Sequence, residues 1–309
     1  MATPSRGAPP TVEERDERAD GVPRSDIRRL PREVVLAFVD HAQEYLAAGP
    51  GKQLALAFMA GSFIGFGAML SIEITVGVTP DGLSKLLLGL GFTAGFSLVI
   101  LSGAALFTEV NVLLPQLFLS RLRAPGRLWR FWLIVYVGNA AGAVFVGAML
   151  NASEVVGSEQ ADRLTEIIAL KMRFEDTGID GWFQAVASGI LANWLVGMAA
   201  FLATAARTVS GKIIGITFPI VAFVALGVQH APANMGYFAA GLVHGDVGTD
   251  LWSALAWNIA PATVGNLIGG AIFVALLFWY TFGADAEGRD ELGRAEELAG
   301  TGAAAAQRT

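Results

Sequence analysis

Residues 227–235 read GVQHAPANM and lie inside one continuous apolar segment, residues 213–243. An ionisable side chain at that depth in hydrocarbon is costly and faces a cavity or a partner. Pro232, two residues after His230, lacks a backbone donor and disfavours an unbroken helix. Broken backbone in a bilayer is tolerated only where it meets protein or a water-filled space. The stretch therefore predicts an interrupted transmembrane helix with His230 at the interruption. The other two histidines, His41 and His244, sit at the margins of apolar segments.

The 309-residue chain is 54% hydrophobic and 16% charged, with a mean hydropathy of +0.54. A soluble domain carries about 25% charged residues, so the class is integral membrane protein. Cysteine is absent, which excludes disulfides and thiolate metal sites. The net charge of −6 comes mainly from one loop and the C-terminal tail, and nothing in it suits nucleic acid. Residues 1–32 are polar, so no cleavable signal peptide is expected. Residues 1–30 are rich in Pro, Arg, Asp and Glu and are expected to form a disordered cytoplasmic tail. From Pro31 to about residue 49, Val34, Val35, Phe38, Val39 and Ala42 share one side, opposite Asp40, Gln43 and Glu44. That pattern predicts an amphipathic helix at the membrane surface, with His41 solvated near its polar side. Residues 284–309, acidic and rich in Ala and Gly, are expected to be a second disordered tail.

A span needs about 20 apolar residues. Six segments qualify between residues 50 and 283: 53–76, 83 to past 117, 128–150, 182–206, 213–243 and 252–282. The second and fifth are too long for one straight span. Arg121, Arg123, Arg127 and Arg130 cluster between segments two and three, and Arg207 and Lys212 between four and five. Residues 151–181 carry seven acidic and three basic residues, and Asp246 and Asp250 lie in a further acidic loop. Basic loops face the cytoplasm, which places both termini inside a plasma or inner membrane.

Two stretches repeat. VGNAAGAVFV (137–146) returns as VGNLIGGAIFV (264–274), 127 residues later. FTEVN, ending at Asn111, matches HAPAN, ending at Asn234, at an offset of 123. The chain thus reads as all-α, six transmembrane helices in an inverted repeat of three plus three, with helices two and five interrupted. Matching interruptions in inverted halves mark a path near the membrane centre. Close packing of small residues explains VGNxxG alone about as well.

The second interruption carries Thr108, Glu109 and Asn111; the fifth carries Gln229, His230 and Asn234. Asn193 lies deep in the fourth segment. Thr108 and Asn193 are candidates to hydrogen-bond His230 and orient its ring. Phe92, Phe96, Phe107, Phe218 and Phe223 are candidates for apolar constrictions around it. Such constrictions oppose a bare ion, whose transfer to low dielectric costs on the order of tens of kcal/mol in the Born limit, far more than a neutral weak acid. A histidine between them either donates a proton to a monovalent anion or attracts it.

GFSLVILSGAALFT (95–108), WLIVYVGNAAGA (132–143), ASGILANWLVGMA (187–199), FPIVAFVALGVQHAPANM (218–235) and NIAPATVGNLIGG (258–270) together resemble the formate/nitrite transporter family. The resemblance implies an aquaporin-like fold, a homopentamer with one pore per protomer, and passage of formate, nitrite or similar anions, often with protons. It implies that His230 is the central histidine, contacted by Thr108 and Asn193, and that Phe92, Phe96, Phe107 and Phe223 are the constrictions. Many members carry an acid where this chain has Gln229, and a small residue where it has Glu109. Many also carry a lysine shortly before the fourth helix, aligned near Thr177, with Lys171 six residues earlier.

A neutral-solute pore of the aquaporin type needs two Asn-Pro-Ala turns, and the chain has none. A non-transporting scaffold has no motif to support it. An embedded enzyme needs paired acids, a second histidine or a nucleophile with a base; neither cofactor nor metal is expected.

Overall fold

The computed structural model describes residues 28–120, 125–245 and 247–283. The expected tails, apart from residues 28–30, lie outside these, as do Arg121, Arg123 and Asp246. The described part is helical: α1 (Pro31–Ala47), α2 (Pro50–Glu73), α3 (Asp81–Ser102), α4 (Phe107–Leu119), α5 (Pro125–Ala152), α6 (Ser158–Met172), α7 (Gly178–Ala205), α8 (Val209–Ala225), α9 (Ala231–His244) and α10 (Leu251–Gly283). The protein is an all-α membrane protein of six spans, and spans two and five are the broken pairs α3–α4 and α8–α9.

Helix α1 buries Val34, Val35, Phe38, Val39, Ala42 and Tyr45 against α4, α7 and the end of α10. Leu30 N donates to the Glu33 carboxylate at its start. Arg29 ties it to the Thr204 carbonyl at 2.7 Å. Tyr45 Oη donates to the carbonyls of Gly103 and Ala104, in the first break. His41 is only partly solvated, not free as expected: its ring lies 4.3 Å from that of Tyr45, and Nδ1 is 3.9 Å from Glu109 Oε1. Burial holds the imidazole below its ordinary value, against the pull of Glu44.

The acidic loop between spans three and four contains a helix, α6, which packs Leu164, Ile167, Ile168 and Met172 inward. Span six is wound loosely, with π-helical turns at Leu255–Ile259, Gly269–Leu276 and Trp279–Gly283.

The packing carries the inverted repeat. Helix α2 lies against α3 and α5 as α7 lies against α8 and α10; α5 meets α9 as α10 meets α4; α3 meets α8 across the axis. Each break opens on a glycine in the left-handed region, Gly103 (φ 71°) and Gly227 (φ 66°). Two further glycines let spans touch. A Cβ at Gly142 would strike the Phe58 carbonyl, and one at Gly269 would strike the Ile190 carbonyl.

The VGN motifs do more than pack. Asn139 Oδ1 accepts from Phe107 N at 2.8 Å, while Nδ2 donates to Ala57 O and Ala105 O. Asn266 Oδ1 accepts from Ala231 N at 2.8 Å, while Nδ2 donates to Gly189 O and Gln229 O. Each asparagine thus grips the residues on both sides of one helix cap, Leu106 in one half and His230 in the other. These bonds fix the offset of the breaks at 124, so the pairing of Asn111 with Asn234 is one residue out of register. Asn111 accepts from Trp132 Nε1, whereas Asn234 donates to Gln229 and Asn258.

Gly103 has open space where a Cβ would go, so only its φ resists substitution. Gly103→Ala is expected to destabilise by about 1–2 kcal/mol, the left-handed penalty of an L-residue. Gly142→Ala is expected to cost more, because a backbone carbonyl blocks it. Thermal unfolding of the purified variants in detergent checks the order.

Candidate functional site

His230 is the N-cap of α9, with extended backbone and no exposed surface. Its position follows from the sequence around it: Gly227 turns the chain, Asn266 holds residues 229 and 231, and Pro232 starts the helix. His230 Nδ1 accepts from Ala233 N at 3.2 Å. A ring nitrogen that accepts an N–H carries no proton, so the ring is the neutral tautomer with its hydrogen on Nε2. Nε2 is 2.9 Å from Thr108 Oγ1, in the first turn of α4. The nitrogen therefore donates to the hydroxyl, and the hydroxyl keeps its own hydrogen for a further acceptor. The starts of α4 and α9 meet at this pair. Helix N-termini carry partial positive charge and favour anions.

Aromatic rings close one side. The Phe223 centroid is 5.3 Å from the His230 ring, Phe92 stands perpendicular to it at 6.5 Å, and the two phenyl rings meet edge-on at 5.4 Å. Phe96 and Leu106 lie in the same buried cluster. Leu106 occupies the cap position equivalent to His230, so one half offers a polar group where the other offers an apolar one. Phe107 is placed differently. Its ring packs on Trp132 and Tyr136, in a second cluster shared with α1. Phe218 is mostly exposed on the outer surface of α8. Leu106 was missed because a residue in a non-helical turn has no periodicity from which its direction can be read.

Asn193 is fully buried, yet it does not reach His230. Its Nδ2 donates to Asn266 O at 2.5 Å, where α10 begins to widen. Its place is behind the clamp, not in contact with the imidazole. Glu109 is buried at the start of α4, with His41 Nδ1 3.9 Å from its Oε1. Gln229 Oε1 accepts from both Asn234 Nδ2 (2.8 Å) and Asn258 Nδ2 (3.0 Å). Asn258 had no role in the sequence reading.

A cavity of about 270 Å³ opens beyond Phe92 and Phe223, on the side of α6. Its wall includes Asp81, Lys85, Arg163, Lys171 and Arg173. Lys85 pairs with Asp81 at 2.6 Å, and Arg163 with Glu166 at 2.8 Å. Lys171, near the end of α6, donates to Val228 O at 3.1 Å, one residue from Gln229. Lys171, six residues before Thr177, thus lies against the second break, because α6 folds back over it. Among the described residues no group of three His, Asp or Glu is placed to hold a metal.

Comparison with known proteins gives a consistent result. Residues 32–280 match the family profile described as formate/nitrite transporter. The chain is 39% identical over 251 residues to a probable formate transporter of Methanothermobacter thermautotrophicus, covering 75% of this chain and 89% of that one. It is 31% identical to the formate channel FocA of Escherichia coli K12, covering 75% and 87%. Among solved structures it is similar to an FNT family ion channel (TM-score 0.71, 26% identity, 81% and 98% covered). A pentameric formate channel with formate bound gives a TM-score of 0.64 at 25% identity, covering 75% and 97%.

Proposed function

The chain belongs to the formate/nitrite transporter family, a family of membrane transport proteins and not of enzymes; from that premise we propose that it passes small monovalent weak-acid anions, formate or nitrite among them, through a pore centred on His230 and Thr108. The observation that carries this reading is the His230–Thr108 pair, held between apolar side chains where two helix N-termini meet. A hydrophobic ring pair such as Phe92 and Phe223 opposes a dehydrated ion far more than the neutral acid. Past it, the hydroxyl of Thr108, polarised by Nε2–H, offers one strong donor to an incoming oxygen. Cooperative donors of this kind strengthen in a low dielectric.

The cap bond bears on the proton. While Nδ1 accepts from Ala233, the only nitrogen-bound hydrogen of the ring is the Nε2–H, and losing it would leave an imidazolate. The geometry therefore favours attraction by a neutral donor over proton transfer from the histidine. A proton that accompanies the anion is bound to the anion as the weak acid. Lys171, at the α6-side mouth, supplies the charge that draws the anion in. The basic loop residues Arg127, Arg130, Arg207 and Lys212 support a cytoplasmic placement of both termini in the plasma or inner membrane. The pentameric formate channel supports a homopentamer, with lipid covering the remaining apolar faces.

Flux into proteoliposomes tests the proposal. Formate, nitrite, hydrosulfide and lactate are compared with chloride across pH. Formate and nitrite are expected to pass, with chloride slower by about tenfold or more because it has no neutral form at these pH values. Equal rates for chloride and the weak-acid anions would sink the proposal, as would no flux for any of them.

A further inference from the structure

Resting on that transport reading, we infer that Gln229 sets the anion affinity of the α6-side cavity, by leaving the Lys171 ammonium without a counter-charge. Lys171 is held in the cavity wall by a carbonyl, Val228 O, and not by a carboxylate. The other ionisable groups on the wall are Asp81 and Lys85 of α3, Arg163 of α6, Arg173, and Tyr237 of α9. Asp81 is engaged by Lys85, and the nearby Glu166 by Arg163. Tyr237 Oη bonds Ser71 Oγ. Among the described residues, Lys171 Nζ has no acid within ion-pair distance.

Immediately behind Val228 lies a group of three buried amides: Gln229, Asn234 and Asn258. Asn234 Nδ2 and Asn258 Nδ2 both point at the single atom Gln229 Oε1, and Asn258 Nδ2 also holds the Lys171 carbonyl at 2.8 Å. Two donors converging on one oxygen make a socket for an acceptor. A carboxylate would fill it equally well: one oxygen keeps both bonds, and the other replaces Gln229 Nε2, which has no acceptor of its own. The socket is thus indifferent to shape, and what the glutamine determines is charge. With an amide there, the positive potential at the mouth has no counter-charge wherever Lys171 is protonated; burial lowers the lysine to about 7, so capture of a small carboxylate or nitrite, without prior protonation of the anion, strengthens as pH falls through that value. With a carboxylate there, the same potential is largely cancelled once the acid ionises.

The full-length protein and Gln229→Glu are reconstituted in vesicles, and the KM for formate is measured across pH. Gln229→Glu is expected to raise KM by about tenfold at about pH 7, the effect of one added charge at close range. The increase is expected to shrink toward about pH 4 as the new carboxyl protonates. In a Lys171→Gln background, Gln229→Glu is expected to change KM far less. A purely structural effect would persist in that background and would not follow pH. An unchanged KM in Gln229→Glu, or effects of the two substitutions that simply multiply, overturns the inference while wild-type flux leaves the transport reading standing. Absence of formate flux in the wild type overturns the reading and this inference with it. Should Gln229→Glu fail to assemble, Leu170→Glu adds the same charge at an exposed point of the cavity wall without touching the amides. It must raise KM in the same direction, and no change there overturns the inference.

Discussion

His230→Asn is expected to assemble normally and to lose most of its formate flux, by about tenfold to a hundredfold. Two functions of the imidazole are separable. Nδ1 caps α9 through Ala233 N, and Nε2 donates to Thr108 Oγ1. Asparagine is among the best N-cap residues, so the first function survives. Its side chain is too short to meet Thr108 across the interface of the two breaks, so the second is lost. Without Nε2–H to hold the hydroxyl, Thr108 no longer presents its hydrogen to the anion; a hydrogen bond to a charged group contributes about 1.5–3 kcal/mol, and about 1.4 kcal/mol corresponds to a factor of ten, so the flux range follows from the loss of that bond. His230→Ala removes the cap as well and is expected to lose a further 0.5–2 kcal/mol, roughly, of stability. Flux in proteoliposomes and thermal unfolding of the same preparations separate the two losses. If flux and its pH dependence are the same in His230→Asn as in the wild type, the neutral-donor mechanism fails.

The break residues were legible because each signal is local. Pro232, the flanking apolar run and the overlong fifth segment all lie within a few dozen residues. The repeat was legible for the same reason, through the match of VGN to VGN, but neither Asn139 nor Asn266 was singled out in it. Their role was not readable: Asn139 bonds backbone at residues 57, 105 and 107, and no periodicity encodes that meeting. Asn193 failed in the opposite way. Depth in a span predicts that an amide has a partner, but does not choose between His230 and the Asn266 carbonyl. Helix α6 had a readable signal, Leu164, Ile167, Ile168 and Met172 at helical spacing, which the count of loop charges concealed. That helix is what carries Lys171 back over the second break. Without it, an alignment of position alone leaves the lysine outside the site.

The largest effect on the molecule is expected from the clamp asparagines. Asn266→Ala frees one N–H, Ala231 N, and one carbonyl, Gln229 O, both buried within a membrane domain, while Gly189 O, inside α7, keeps its helical bond. Water cannot reach them, and each unpaired group costs about 1–3 kcal/mol. Two such groups amount to a substantial part of the 5–15 kcal/mol, roughly, that holds a domain folded. Asn266→Ala is therefore expected to yield little or no assembled protein. Asn139→Ala frees the equivalent groups, Phe107 N and Ala105 O, and is expected to do the same. Asn266→Asp offers no escape, because its second oxygen would face the two carbonyls that now accept from Nδ2. Recovery of assembled protein by size exclusion in detergent, with the unfolding temperature of whatever is recovered, measures this. Asn139→Ala or Asn266→Ala recovered at wild-type yield and unfolding temperature would show that the breaks hold their shape without the clamp. The site depends on the answer in both halves alike: each asparagine grips the residues on either side of a cap, so loosening Asn139 shifts Leu106 and its neighbour Thr108, and loosening Asn266 shifts His230, either of which pulls the donor pair apart.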